Sequence, residues 1–562
     1  MTMNEAFDAI VVGSGVTGGL AAKELTERGL RVVMIERGPM IEHGDGYQTE
    51  FLAPWELRFR GFGSQKEKEQ VYPVQSKGGA FDEWTKAYFV NDALHPYQTD
   101  GPTPFQWRRG YQLGGRSLTW ARHCYRWSDL DFTANANDGH GVDWPIRYSD
   151  LAPWYEHVEE FVGVSGSAEG LPQLPDGKFQ PPMLLNAVER HMKNVVEAAH
   201  PDRRLIIGRV ANLTQKKEGR GRCLYRNICA RGCSYGAYFS TQSATLPAAR
   251  ATGRLTLLTD TVVERIDYDD AQKRVSGVTV RKGADGASEK ISARLVFVCA
   301  GSVNSVAVLL RSTSPAFPKG LGNNHDLVGR YFMDHATAVS AVAMVPGFDA
   351  RGYFGNRPNN LIIPRFRNVH RSDAEFLRGY GFQGGASRTA WLRGAKQAGI
   401  GAEMKRQLHR AGPWKILLRA YAECLPRADN RVSLDHGKVD GQGLPQVRIS
   451  FSYGANERAL LADAESEALA MLRLIKADVL SHSAEPEPGG SAVHEMGGAR
   501  MGRSPKSSVL NANNQVHEIP NLFVTDGAAM SSTACQNPTL TYMALTARAS
   551  AYAAERLKEG QL

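Results

Sequence analysis

No apolar run in the 562-residue sequence approaches the ~18–20 residues of a membrane-crossing helix. A direct membrane span is therefore not expected. No repeat of fixed period is present, which excludes a solenoid or a propeller. No G-x-y register runs through the 57 glycines, so the chain is not collagen-like. Long polar tracts are also missing, and with 42% hydrophobic residues the chain is not disordered. Basic residues form no blocks: 67 Lys and Arg against 58 Asp and Glu leave +9, thinly spread. With no recognition motif beside this charge, nucleic acid is not an expected partner. The surplus reads as a solvated cationic surface or as a docking face for an acidic protein. The stretch Met1 to Phe7, which contains Glu5, leaves no room for a charged n-region and an apolar h-region. The expectation is a cytoplasmic chain, or one exported by riding on another protein.

What is present begins at once. Residues 8–13 read Asp-Ala-Ile-Val-Val-Gly, a short buried strand, and Gly13, Gly15 and Gly18 are spaced as GxGxxG. A helical stretch runs from Gly19 to Arg28. A second strand, Arg31 to Ile35, ends at Glu36, with Arg37 beside it. In such a βαβ unit the first glycine permits the tight turn and the second lets backbone approach a pyrophosphate. The third lets the helix pack close on the strand. The helix N-terminus offers free N–H groups to the phosphates, and the acid accepts from a ribose hydroxyl pair. The motif alone does not separate FAD from NAD.

Near the far end stands His494-Glu495-Met496-Gly497-Gly498-Ala499-Arg500-Met501-Gly502. Leu522 to Val524 reads as a strand with a turn at Asp526-Gly527. Gln536-Asn537-Pro538-Thr539 starts a helix with proline in its first turn, where the missing N–H costs nothing.

These blocks, with the N-terminal unit, resemble the glucose-methanol-choline (GMC) flavoprotein oxidoreductases, from Asp8 to about Ala547. Three blocks between them carry the same likeness. Gly114-Gly115-Arg116-Ser117 resembles the flavin-contacting glycine pair, Val262-Val263 the segment at the adenine, and Cys299-Ala300-Gly301-Ser302 the turn beside the FAD. The resemblance implies the GMC fold: an α/β, Rossmann-like FAD-binding domain plus an α+β substrate domain with an antiparallel sheet. It implies FAD held non-covalently, since no His directly follows the glycine pair in Arg116-Ser117-Leu118-Thr119-Trp120. It assigns His494 and Asn537 as the catalytic pair. A neutral imidazole suits removal of a hydroxyl proton, and Asn537 hydrogen-bonds the developing alkoxide without titrating. The implied cofactor contacts are Gly13, Gly15, Gly18, Glu36, Arg37, Gly114, Gly115, Ser117, Val263, Ala300, Gly301, Asp526, Asn537, Pro538 and Thr539.

Of seven cysteines, three cluster as Cys223-x5-Cys229-x3-Cys233, while Cys299 ends an apolar strand, Arg294 to Val298. A disulfide would leave one thiol over, and a tetrahedral zinc site would need a fourth ligand that is not close in sequence. A three-iron cluster would take one thiolate per iron. The spacing resembles the GMC sugar dehydrogenases that carry a 3Fe–4S cluster on this motif. That likeness implies electron exit to a cytochrome c, a small chaperone-like partner subunit carrying an export signal, and a periplasmic location by co-export. It favours a dehydrogenase over an oxygen-using oxidase. A redox-inactive lyase is a further alternative, because fold alone does not fix function.

The implied FAD-binding domain comprises about 1–45, 105–150, 205–340 and 490–562, with the cysteine loop at about 220–236. The substrate domain and insertions comprise 46–104, 151–204 and 341–489. There Asn360 to Pro364 and Asn430 to Leu434 read as strands of an antiparallel sheet, and Asn456 to Leu474 as an amphipathic helix. Gln383 and His335 are candidate substrate contacts. The runs Gly114 to Trp120 and Gly381 to Arg388 resemble bacterial glucoside 3-dehydrogenases, implying oxidation at carbon 3 of a sugar; glucose 1-dehydrogenase is the near alternative.

Overall fold

Strand Phe7–Val12 lies between Val32–Ile35 and Ser288–Val298 and runs parallel to both. Its residues Ala9 to Val12 are buried, as a central parallel strand covered on both faces requires. In this computed structural model the described residues are 7–562 except 285, 353–354, 371, 373, 391–392 and 395–398. The first six residues, part of the stretch read above as too short for a leader, lie outside them. Leu255–Leu258 extends the parallel sheet beyond Val32–Ile35, and Leu522–Val524 joins it along Val296 to Val298. Thr261–Asp269, Arg274–Lys282 and Ser288–Val298 form an antiparallel meander on the same sheet.

Helix Val16–Glu27 follows the first strand and crosses back to Val32–Ile35. Its Ala21, Ala22 and Leu25 pack with Ala549, Ala553 and Ala554 of helix Thr539–Lys558 in one apolar cluster. Small residues on both sides let the two helices approach closely. The C-terminal helix begins at Thr539, with Pro538 as its cap residue.

The second sheet has six antiparallel strands: Asp478–His482, Ala336–Val345, Trp414–Ala422, Tyr380–Arg388, Leu361–Ile363 and Ile206–Ile207. Helix Ala455–Leu474 covers one face with Leu460, Ala464, Ala468 and Leu472, one stripe at four-residue spacing. Each of its fully buried leucines contributes about 1.5–3 kcal/mol. Glu457 caps its start by accepting the Gly454 N–H at 2.7 Å. The opposite face of the sheet is turned toward the first domain.

Two expectations change. Arg431–Val439 does not join the sheet of Leu361–Ile363; it pairs with Pro445–Ser450, which pairs with Gln98–Asp100 in a separate three-stranded sheet. Local pattern marks a strand but not its partner, which long-range packing selects. The segment boundaries at 205 and 340 also shift, because Ile206–Ile207 and all of Ala336–Val345 belong to the six-stranded sheet.

Candidate active site

Between the two sheets lies a cavity of about 650 Å³. Its dinucleotide end is mostly backbone. Gly13 turns at φ +94°, and a Cβ there would stand 2.7 Å from the Cys299 carbonyl oxygen. Gly18 packs the helix on the strand so tightly that a Cβ would lie 1.9 Å from the Gly13 oxygen. Gly15 behaves differently: nothing lies within 4 Å of where its Cβ would stand, and it faces the cavity. This open cradle at a helix N-terminus fits the pyrophosphate of a dinucleotide. Glu36 Oε2 accepts from the Ser14 N–H (3.2 Å) and Oγ–H (2.5 Å), and its Oε1 from the Gly38 N–H (3.0 Å). Each oxygen keeps lone-pair capacity toward the cavity. Burial nevertheless pushes the Glu36 carboxyl up from its ordinary range. Gly114 N–H donates to Ser14 Oγ at 2.8 Å, tying the glycine pair to the same network. Asp526 Oδ2 accepts from Gly301 N–H (2.8 Å) and Ser305 Oγ–H (2.5 Å), which locks two strand-end turns together.

The other end is made of side chains. Phe382 and Ala420 point into the core under the covering helix, so the alternation of their strands turns Gln383, Arg419 and Tyr421 to the cavity. Gln383 Nε2 donates to Asn537 Oδ1 at 2.6 Å, and Asn537 Nδ2 lies 3.0 Å from His494 Nε2. His494 Nδ1 lies 2.8 Å from His335 Nδ1. Asp334 holds the segment that carries His494, accepting the His494 N–H (3.1 Å) on Oδ1 and the Gly490 N–H (2.7 Å) on Oδ2. Burial, with the Glu495 carboxylate nearby, pushes Asp334 up to about 7. Arg116 pairs at 2.7 Å with Glu495, next in sequence to His494. Desolvation draws His494 well below its ordinary range; any charge on His335, the Arg116 guanidinium and any charge on His123 would act in the same direction. The ring is therefore uncharged at neutral pH.

The cavity wall includes Gly13, Gly15, Glu36, Arg37, Gly115, Ser117, Val263, Ala300, Gly301, Asp526, Pro538 and Thr539, together with Gln383, His494 and Asn537. Gly18 and Gly114 stand behind it, as packing and turn residues. His335 also departs from the expected substrate contact: it is fully buried and stands behind His494 rather than in the cavity. Sequence reasoning passed over Arg419 and Tyr421. The alternation in Trp414–Ala422 was the available signal, since Ile416, Leu418 and Ala420 form its core face. Asp334, which the run Asp334-His335 also offers as a pocket contact, lies outside the cavity wall and instead holds the backbone at Gly490 and His494.

A second, small hollow of about 20 Å³ is lined by Cys223, Cys229 and Cys233. All seven cysteines are free thiols, so no disulfide forms here. Among the described residues no three His, Cys, Asp or Glu side chains converge to hold a metal ion. Arg226 approaches Cys233 Sγ at 3.9 Å and pairs with Glu50 at 2.7 Å. A hydrogen bond links the hollow to the large cavity: Arg122, in the cavity wall, donates from Nε to Asn212 Oδ1 at 3.1 Å, and Asn212 lines the hollow.

Family models described as GMC oxidoreductase match residues 7–337 and 426–546. A 2-methyl-1,2-propanediol dehydrogenase of Mycolicibacterium austroafricanum is 27% identical, with 99% of this chain and 97% of the relative covered. A fructose dehydrogenase large subunit of Gluconobacter japonicus is 23% identical, covering 98% of each. A variant of the Aspergillus oryzae formate oxidase, studied for its FAD modification, has a similar fold with a TM-score of 0.63 and 14% identity over all of both chains.

Proposed function

The chain belongs to the GMC oxidoreductases, a family of FAD enzymes acting on CH–OH groups, and from that premise we propose that it is a sugar dehydrogenase. The observation that carries the reading is the pair His494 Nε2 and Asn537 Nδ2, 3.0 Å apart in the wall of a cavity roofed by the antiparallel sheet. FAD, when bound, supplies the hydride acceptor. Gly13, Gly15, Glu36, Gly115, Val263 and Gly301 would hold it. His494 takes the hydroxyl proton on Nε2, and Asn537 donates to the oxygen as negative charge grows there. Gln383 orients the Asn537 amide by donating to its oxygen. The roof shuts water away from the reacting carbon and strengthens each of these interactions.

The finer reading is oxidation at carbon 3 of glucose or a glucoside, which rests on the likeness of the Gly114 to Trp120 and Gly381 to Arg388 runs. For electron exit we propose a 3Fe–4S cluster on Cys223, Cys229 and Cys233, a one-electron step toward a cytochrome c. Three free thiols around one hollow, in contact with the cavity through Arg122 and Asn212, support it. Co-export with a small partner subunit belongs to the same reading.

Product identification by NMR after turnover of glucose, methyl glucosides and disaccharides tests the substrate, with a 3-keto product expected. Turnover with a dye acceptor that exceeds turnover with oxygen is expected of a dehydrogenase; the reverse returns the oxidase. About three irons per chain, lost in Cys229→Ser, are expected of the cluster. Zinc without iron removes it.

A further inference from the structure

His335 plays no part in the chemistry just described, yet its ring is fully buried and makes contacts with both nitrogens. One of these fixes all the others. His335 Nε2 faces the carbonyl oxygen of Ala534, and a backbone carbonyl can only accept. Nε2 must therefore carry a hydrogen. Burial draws His335 down to about 4, so at neutral pH the ring has one N–H and its Nδ1 is a bare lone pair. That lone pair faces His494 Nδ1 at 2.8 Å. Two lone pairs at that distance would repel, so His494 Nδ1 carries the hydrogen and donates it. His494 is itself uncharged, which leaves its Nε2 unprotonated. The far side agrees: Nε2 meets the Asn537 amide nitrogen, and the Asn537 oxygen is taken by Gln383. With the two amides turned the other way, Asn537 would present an acceptor and His494 would need its hydrogen on Nε2. His494 Nδ1 would then have to accept from His335, whose hydrogen the Ala534 carbonyl already holds on the opposite nitrogen.

We propose that His335 is a positioning residue: by relaying the polarity of the Ala534 carbonyl, it fixes His494 in the tautomer whose Nε2 carries no hydrogen, the form that can exchange its Asn537 contact for a substrate hydroxyl and accept that proton. The proposal rests on the reading of His494 as the base. Without His335, both neutral tautomers of His494 become available, and the one with a hydrogen on Nε2 cannot accept a proton there. Asp334 and His335 then act as a pair, Asp334 setting the backbone that carries His494 and His335 its ring.

The test is ring nitrogen NMR of the holoenzyme labelled with 15N-histidine, with the His494 signals assigned by their loss in His494→Ala. The expected result is a protonated, pyrrole-type Nδ1 and a bare, pyridine-type Nε2. The opposite pattern in the unmodified enzyme overturns the proposal without any variant being needed. Two variants add kinetic evidence. Glutamine can accept with Oε1 and donate with Nε2, as His335 does, so His335→Gln should keep the His494 signals and most of the rate of flavin reduction. His335→Leu should populate both tautomers and lower kcat by about tenfold or more, with KM little changed. Equal rates in the Gln and Leu variants, with FAD retained, would mean that His335 only fills space. The base reading stands or falls separately: if His494→Ala keeps near-normal turnover, that reading fails, whatever the tautomer.

Discussion

At its dinucleotide end the large cavity is formed largely by main chain from short, contiguous stretches, Gly13 to Thr17 and Gly115 to Ser117, with Gly18 and Gly114 packed behind them. At its roof end it is formed by side chains from four segments far apart in sequence, at 383, 419–421, 494 and 537. The first end recognises a ligand by close approach and free N–H groups, so its tolerance is steric. The second aligns individual nitrogen and oxygen atoms, so its tolerance is set by hydrogen-bond direction. Substitutions at the first should cost cofactor or fold, and substitutions at the second should cost rate with cofactor retained.

The sharpest contrast lies within the first end itself. Gly18→Ala places a Cβ 1.9 Å from the Gly13 oxygen, a backbone atom that cannot swing aside. The expected outcome is loss of soluble, FAD-loaded protein, read from yield and flavin absorbance. Gly15→Ala meets no protein atom within 4 Å, so the fold should persist while FAD affinity falls, measured by titrating apoprotein with FAD. Equal behaviour of the two variants would mean that the cradle at Gly15 is not where the pyrophosphate sits.

At the roof end, His494→Ala should lower the rate of flavin reduction by about 10²–10⁴-fold with FAD still bound, since a base acts in the transition state. Asn537→Ala should cost less, about 10²-fold, because it removes one neutral donor to the growing charge. Rapid mixing with substrate under anaerobic conditions measures both. A larger loss in the asparagine variant would reverse the two roles.

The smallest effect concerns Asp334. Unfolded, its carboxyl ionises near 3.8; folded, it keeps its proton up to about 7. Between these values the folded state holds more protons than the unfolded one, so this group's contribution to stability falls as pH rises from about 4 to about 7. Asp334→Asn, which removes the titrating group, keeps an acceptor for one of the His494 and Gly490 N–H groups and sets an amide nitrogen against the other, should flatten that part of the profile while lowering stability at every pH. Thermal unfolding across this range measures it, and an unchanged slope would show that Asp334 ionises in the folded chain as it does in solution.

The uneven legibility of the two ends follows from the same division. The βαβ unit could be read residue by residue, and the strand Phe7–Val12 and helix Val16–Glu27 lie within a few residues of the expected bounds, because each glycine acts on its near neighbours. Helix Ala455–Leu474 was legible for a similar reason: its apolar stripe repeats every four residues within one segment. Arg431–Val439 was legible as a strand, yet its place in a separate sheet was not. His335 was legible as a residue of interest and misread in its role, because the atoms that define it belong to Ala534 and His494.

The sequence by itself determined the family and the βαβ unit and marked His494 and Asn537 as candidates, since each is written in a contiguous block whose chemistry is local. Only the tertiary structure decided that His335 stands behind His494 and Gln383 beside Asn537, that Asp334 staples the segment carrying His494, and that Arg122 and Asn212 join the cavity to the cysteine hollow. Those relations are distances between residues that the chain separates by up to 199 positions, and a hydrogen bond's direction is fixed only once folding has brought its donor and acceptor together.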